Sequence, residues 1–176
     1  MSDDGAIKAS VDKELGEDDI RKLLGSNTKI ITYPNLAGKS IEDVFDANGN
    51  CVILFLTENQ NTGHWIGLIR HSPDAIEFFD SFGKKPDGDM SWLSKQEQVS
   101  LGETHPLITE LLSGFGGRVV HNTTKLQKDS SSTCGRHVAC RMRNKSVPLS
   151  DYVNRLKATG DPDRAVTDLT AKILGH

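Results

Sequence analysis

Cysteine is scarce in this sequence. Three residues of 176 is too few, and an odd number, for a disulfide framework, and it points to a reducing compartment. Long hydrophobic runs are also lacking. The longest, Cys51-Val52-Ile53-Leu54-Phe55-Leu56, is far too short to cross a bilayer. No basic start leads into an apolar stretch, so no secretory leader is expected. Neither sign of charge dominates: 21 Lys and Arg against 24 Asp and Glu leave a formal −3, which argues against a surface coated for nucleic acid. Walker, dinucleotide-binding and two-metal motifs are missing, as are internal repeats and heptads. What is present is one domain's length of chain, 36 % hydrophobic and 26 % charged, enough to bury a core unaided.

The first 20 residues carry seven acids against Lys8 and Lys13, and residues 1–16 are expected as a mobile acidic tail. A helix fits Asp18–Leu24, with Gly25 as its stop. Ser40-Ile41-Glu42-Asp43 reads as a capping box that opens a second helix ending at Asn48-Gly49. Cys51–Thr57, Trp65–Arg70 and Ala75–Asp80 read as strands, the last two joined by a turn at Ser72-Pro73-Asp74, which predicts an antiparallel meander. A loop at Lys84–Gly88, a helix from His105 to Ser113 capped by Thr104, and a short strand over Arg118–Asn122 follow. Lys128–Thr133 is a serine-rich loop. Helices are expected over Gly135–Lys145, from Ser150, and from Asp161-Pro162 to Leu174-Gly175. This order predicts one α+β domain spanning residues 1–176.

Of the cysteines, Cys51 opens a buried strand and Cys140 lies within a helix, both positions for small core hydrophobes. Cys134 differs, because it stands where a helix begins. Unpaired N–H groups and the positive dipole end favour a thiolate there, and Gly135 removes a side chain that would crowd an approaching backbone. A thiolate catalyst needs an imidazole, itself oriented by an acid or amide. By position alone His64, His71 and His121 are comparable partners. The meander separates them: strands joined at Ser72–Asp74 pair residues whose numbers sum to about 145, which sets His64 beside Asp80 and Ser81 and puts His71 at the far end. The spacing of Cys134, His137 and Cys140 looks ligand-like, but positions i and i+6 of a helix do not converge on one ion, so no metal is expected.

Gly63-His64-Trp65, then Phe78-Phe79-Asp80-Ser81-Phe82-Gly83, then Gln127 and Cys134-Gly135, together resemble the cysteine peptidase clan of the adenovirus protease (adenain) and the SUMO-deconjugating proteases. The order His, acid, Gln, Cys is the clan's, and the seven-residue step from Gln127 to Cys134 is similar to adenain's. The resemblance spans about half the chain, from Cys51 to Met142. It implies an adenain-like α+β fold, with a mixed or antiparallel sheet packed on a helix that begins at the nucleophilic cysteine. It also implies Cys134 as nucleophile, His64 as base and then acid, Asp80 as the orienting group, and Gln127 as an oxyanion donor with the Cys134 N–H. Trp65 matches the tryptophan that roofs a narrow glycine-accepting channel, so Trp65 and Gly135 are the implied substrate-binding residues. Thr133 stands where SUMO proteases carry Asp, and the short chain leaves little room for a platform to grip a ubiquitin-like protein.

The implied activity is a thiol endopeptidase cleaving viral structural-protein precursors at glycine-containing sites during virion maturation. The alternatives are a SUMO-type deconjugating or processing protease and a clan-related acetyltransferase. The expected partner is a protein substrate, either a capsid precursor or a ubiquitin-like conjugate, with an activating peptide or DNA as a candidate activator. No cofactor and no membrane are expected. The setting would be the host cell cytoplasm or nucleus, or the virion. Residues 118–145 hold seven basic side chains and one acid, +6 against −9 for the remainder, and read as a solvated face or a patch for a polyanion.

Overall fold

The computed structural model describes residues 11 and 13–175. Five strands form one mixed sheet in chain order: β1 (Ile30–Thr32), β2 (Asn50–Asn59), β3 (Thr62–Ser72), β4 (Ala75–Phe79) and β5 (Arg118–His121). The three central strands form the antiparallel meander, and β1 and β5 flank it in parallel with β2 and β4. The apolar run of β2 is buried along its length, as expected of a central strand covered on both faces.

The α-helices among the described residues are α1 (Glu17–Leu24), α2 (Lys95–Leu101), α3 (Leu107–Ser113), α4 (Cys134–Arg143), α5 (Leu149–Ala158) and α6 (Pro162–Leu174). Helix α4 lies on β3 and is itself buried beneath α1 and α6. Its approach to the sheet rests on two glycines without side chains. A Cβ at Gly67 would sit 2.7 Å from Met142 Cε and 3.2 Å from Val138 Cγ1. A Cβ at Gly135 would sit 3.0 Å from Trp65 Cδ1, 3.2 Å from Leu15 Cβ and 3.3 Å from Ile20 Cδ1. Gly135 therefore holds the helix close to the strand. The expectation that it keeps a path open for a substrate backbone is corrected, because protein atoms already fill that space.

Several boundaries differ from the sequence reading, each for a local reason. Of the expected tail, residues 1–10 and 12 lie outside the described residues. Leu15, expected in the same tail, is instead buried, and its carbonyl accepts the Trp65 indole N–H at 2.9 Å. The helix expected from Ser40 to Asn48 is a single 3-10 turn, Ile41–Asp43. Asp46 Oδ1 accepts the N–H groups of Asn48 and Asn50, a local turn that competes with helical bonding. Helix α3 begins at Leu107, not His105, because its first N–H groups are met from elsewhere in the fold: Tyr33 Oη accepts Leu107 N–H, and the Asp87 carboxylate accepts those of Ile108 and Thr109. Strand β1 and helix α2 were not anticipated. The first is only three residues long, while the second carries a legible capping box at Ser94 and Glu97.

The Gly135 contact makes a prediction. Gly135→Ala forces α4 away from Trp65 and α1, an overpacking that costs about 1–3 kcal/mol. Urea unfolding of the free protein should show the lowered midpoint. An unchanged midpoint would show that Gly135 does not set the separation of helix and strand.

Candidate active site

His64 lies near the start of β3, and Asp80 follows the last residue of β4. The observed register pairs Gly67 with Phe79 and Leu68 with Phe78, so the strand ends converge as the sequence reading required. The imidazole Nε2 meets Asp80 Oδ1 at 2.9 Å, with both side chains buried. Asp80 Oδ1 also accepts the backbone N–H of Phe82 at 2.9 Å. With Nε2 committed to Asp80, the Cys134 side chain is the other group that favours the protonated imidazole. The Sγ of Cys134 also accepts the Trp65 backbone N–H at 3.4 Å. A thiol at a helix start, an imidazole on a strand and a carboxylate at the next strand's end thus lie together in one buried cluster.

The surroundings favour charge separation within it. Burial pulls the His64 imidazole down. Its hydrogen bonds with Asp80 and Cys134, and the charges of both, outweigh that and hold it well above its ordinary value. Burial pushes Asp80 up, but hydrogen bonding to His64, to Asp89 and to the Phe82 N–H leaves it below the usual carboxylate range. The other two thiols behave differently. Burial raises Cys51 and Cys140 to about 12 each, as befits inert core residues.

Gln127 is buried on the loop between β5 and α4, and it is tied to the corner after β4. Its Oε1 accepts the Ser81 hydroxyl at 2.7 Å, and its backbone N–H donates to Ser81 O at 3.0 Å. One hydrogen of its amide goes to Ser131 O at 2.9 Å, and the other has no assigned acceptor. Asp163, in the first turn of α6, holds the rest of this loop by accepting Lys128 N–H at 3.0 Å, the Thr133 hydroxyl at 2.6 Å and His137 Nε2 at 2.9 Å. Thr133, immediately before Cys134, thus meets a carboxylate supplied by α6.

The remaining candidates fall elsewhere. His71 and His121 share a separate cavity of about 630 Å3 with Glu77, Arg118 and Lys145. His71 is held there by Glu77 at 2.9 Å, and Glu77 is in turn committed to Arg141 at 2.8 and 2.9 Å. His137 faces Asp163 and Cys140 faces the Val166 carbonyl, so these two do not converge with Cys134 on an ion. The basic segment does not form one continuous face, because Arg136 and Arg141 are buried. Trp65 is also buried, with its indole N–H spent on Leu15.

Two residues escaped the sequence reading. Trp92 is 41 % exposed, and its ring lies edge-on to His64 at 5.3 Å and to Phe82 at 5.5 Å. One of only two tryptophans, in a loop with little other apolar content, it could have drawn notice. Asp89 is buried against Asp80, and nothing in its local sequence marks it. Both belong to the 3-10 turn Gly88–Trp92. Among the described residues, His64, Asp80 and Asp89 form the set of potential ligand groups whose atoms all lie within 4.8 Å of one another. The His64–Asp80 hydrogen bond accounts for two of the three.

The thiol environments predict selective chemistry. Iodoacetamide at neutral pH should modify Cys134 and spare Cys51 and Cys140, read by peptide mapping of the native protein. Modification of Cys51 or Cys140 ahead of Cys134 would overturn the assignment.

No protein-family model matches the chain. A protein of the Sputnik virophage, described as "Uncharacterized protein V9", is 31 % identical over 162 residues, covering 86 % of this chain and 91 % of the relative.

Proposed function

Since the chain belongs to the same family as the virophage protein V9, we propose that it is a thiol endopeptidase of the adenain-like clan that matures viral structural precursors. The observation that carries this reading is the buried cluster of Cys134, His64 and Asp80, in which His64 is bonded to Asp80 and the thiol, at the first residue of a buried helix, accepts the N–H of the residue next to His64. The virophage source of the relative supports the viral setting over a cellular one. No helix among the described residues is long and apolar enough to cross a membrane.

In the proposed reaction the Cys134 thiol gives its proton to His64, and the sulfur attacks the scissile carbonyl carbon. The carbonyl oxygen takes up the negative charge and is met by the Cys134 N–H and the spare amide hydrogen of Gln127. Imidazolium, stabilised by Asp80, returns the proton to the leaving amine as the C–N bond breaks. Water then hydrolyses the thioester, with His64 acting as base, and regenerates the thiol. Trp92 and Phe82, both against His64, would flank the acyl chain entering from solvent. Trp65 would contribute to the same channel only through its backbone N–H.

N-terminal mapping of products from a peptide library tests the reading. Wild type should cleave, with preference for glycine-containing sites, and Cys134→Ala should abolish cleavage while Cys51→Ala and Cys140→Ser retain most of it. His71→Ala and His121→Ala should leave activity near wild type, in contrast to His64→Ala. Labelling by a diglycine-ended ubiquitin-like modifier bearing an electrophile would redirect the proposal to deconjugation, and an acetyl-enzyme formed from acetyl-CoA without peptidase activity would redirect it to acyl transfer.

Gln127 makes a separate, quantitative prediction. Loss of one oxyanion donor in Gln127→Ala should lower kcat by about a hundred- to a thousandfold with little change in KM. A large KM effect at unchanged kcat would remove Gln127 from the oxyanion site.

A further inference from the structure

Asp80 and Asp89 form a pair of buried carboxyls that the triad alone does not require. Asp89 is 2 % exposed and Asp80 fully buried. Asp80 Oδ1 is saturated by His64 and Phe82, while Asp80 Oδ2 and Asp89 Oδ1 are both buried without an N–H or O–H donor. Oxygens of the two carboxyls nevertheless lie within 4.8 Å of one another and of the His64 ring. Two ionised carboxylates this close and this buried would be strongly unfavourable, and a proton on one of them turns the repulsion into a hydrogen bond.

The segment that delivers Asp89 is held firmly from outside the site. Asp87, at φ +64°, accepts Thr109 N–H at 2.7 Å and the Thr109 hydroxyl at 2.6 Å, and the Tyr33 hydroxyl donates to the same carboxylate. The following 3-10 turn then places Asp89 inward on Asp80 and Trp92 outward against His64.

We propose that Asp89 is a positioning residue of the site, a neutral carboxylic acid that donates its hydrogen to Asp80 and so keeps Asp80 directed at His64. The inference rests on the thiol-protease reading for its catalytic consequence, but the carboxyl pair itself does not. The titratable groups facing Asp89 are Asp80 beyond β4, His64 on β3 and Lys84 in the preceding loop. Burial first, then the hydrogen bond with Asp80 and its charge, raise Asp89 to about 9, with His64 and Lys84 opposing. The proton is therefore held through neutral pH and lost on the alkaline side. Ionisation there would set two adjacent carboxylates against each other and pull Asp80 off the imidazole.

With its native value raised, Asp89 contributes stability that is complete below its unfolded value, about 4, and is lost as pH rises through about 9. An amide in its place donates the same hydrogen bond and has no proton to lose.

The test compares wild type with Asp89→Asn and Asp89→Leu, with EDTA present throughout. Peptide hydrolysis should show an alkaline limb in wild type that moves to higher pH in Asp89→Asn, with neutral kcat within about threefold of wild type. Asp89→Leu should lose about ten- to a hundredfold in kcat with KM held, as loss of an outer-shell partner does elsewhere. Alkylation of Cys134 at neutral pH is the independent readout: slowed in Asp89→Leu, retained in Asp89→Asn. An alkaline limb identical in wild type and Asp89→Asn, or a folded Asp89→Leu with wild-type alkylation and kcat, overturns the proposal. An activity that EDTA removes also overturns it, in favour of a bound cation. If no peptide is cleaved by any form, the protease reading fails, while the alkylation comparison still decides the role of Asp89.

Discussion

The close seating of helix α4 on strand β3 is the constraint on which the rest of this structure depends. Two glycines, one on each element, bring the backbones close enough for the helix to begin against the end of the strand that bears His64. Cys134 and His64 are 70 residues apart in the chain, and no local preference brings them together. The contact of Gly135 with the Trp65 ring, and of Gly67 with Met142 and Val138, sets the helix's height over the sheet. The Trp65 N–H, one residue from His64, then reaches the sulfur. At interior packing density even one added methyl must displace a neighbour, so this geometry is a property of the whole layer.

Buried charge maintains that seating from three sides. Arg141, on the last turn of α4, is bidentate on Glu77 of β4, and His71 of β3 closes the group. Removing one partner of such a pair leaves an uncompensated buried charge, at a cost of about 3–5 kcal/mol. Asp163 of α6 gathers His137, Thr133 and the Lys128 N–H, so the loop bearing Gln127 is anchored to the same helix bundle. Asp80, paired with His64 and Asp89, completes the set at the open end of the sheet. Much of the positive charge concentrated between residues 118 and 145 is therefore internal or locally paired: Arg136 and Arg141 are buried and Lys125 bonds Asp129.

The legible parts of the sequence were those governed by short-range rules. β-branched and aromatic runs marked the three central strands, and the turn at Ser72–Asp74 fixed their pairing to within one position, enough to choose His64 and Asp80 over His71. Gly25, Pro162 and Gly175 bounded α1 and α6 correctly. Failures came where a distant group supplied the decisive bond. Helix α3 takes its N-terminal partners from Tyr33 and Asp87, and Leu15 takes up the Trp65 indole. At Ser40–Asn48 the error was local, the Asp46 side chain having ended a helix that the capping box began, and α2 was missed despite its own capping box at Ser94 and Glu97.

The sequence by itself determined the thiol at a helix start, the imidazole at a strand start, the acid at the next strand's end, and their order along the chain. Residue spacing and strand alternation dictate all of these, because each depends on atoms a few positions away. The tertiary structure alone decided that Gly135 is a packing contact, that Trp92 and not the Trp65 ring stands exposed at the site, and that Asp89 is buried beside Asp80. Each of those depends on which side chain fills a space between elements far apart in the chain. Volume and desolvation are settled only when the layers close.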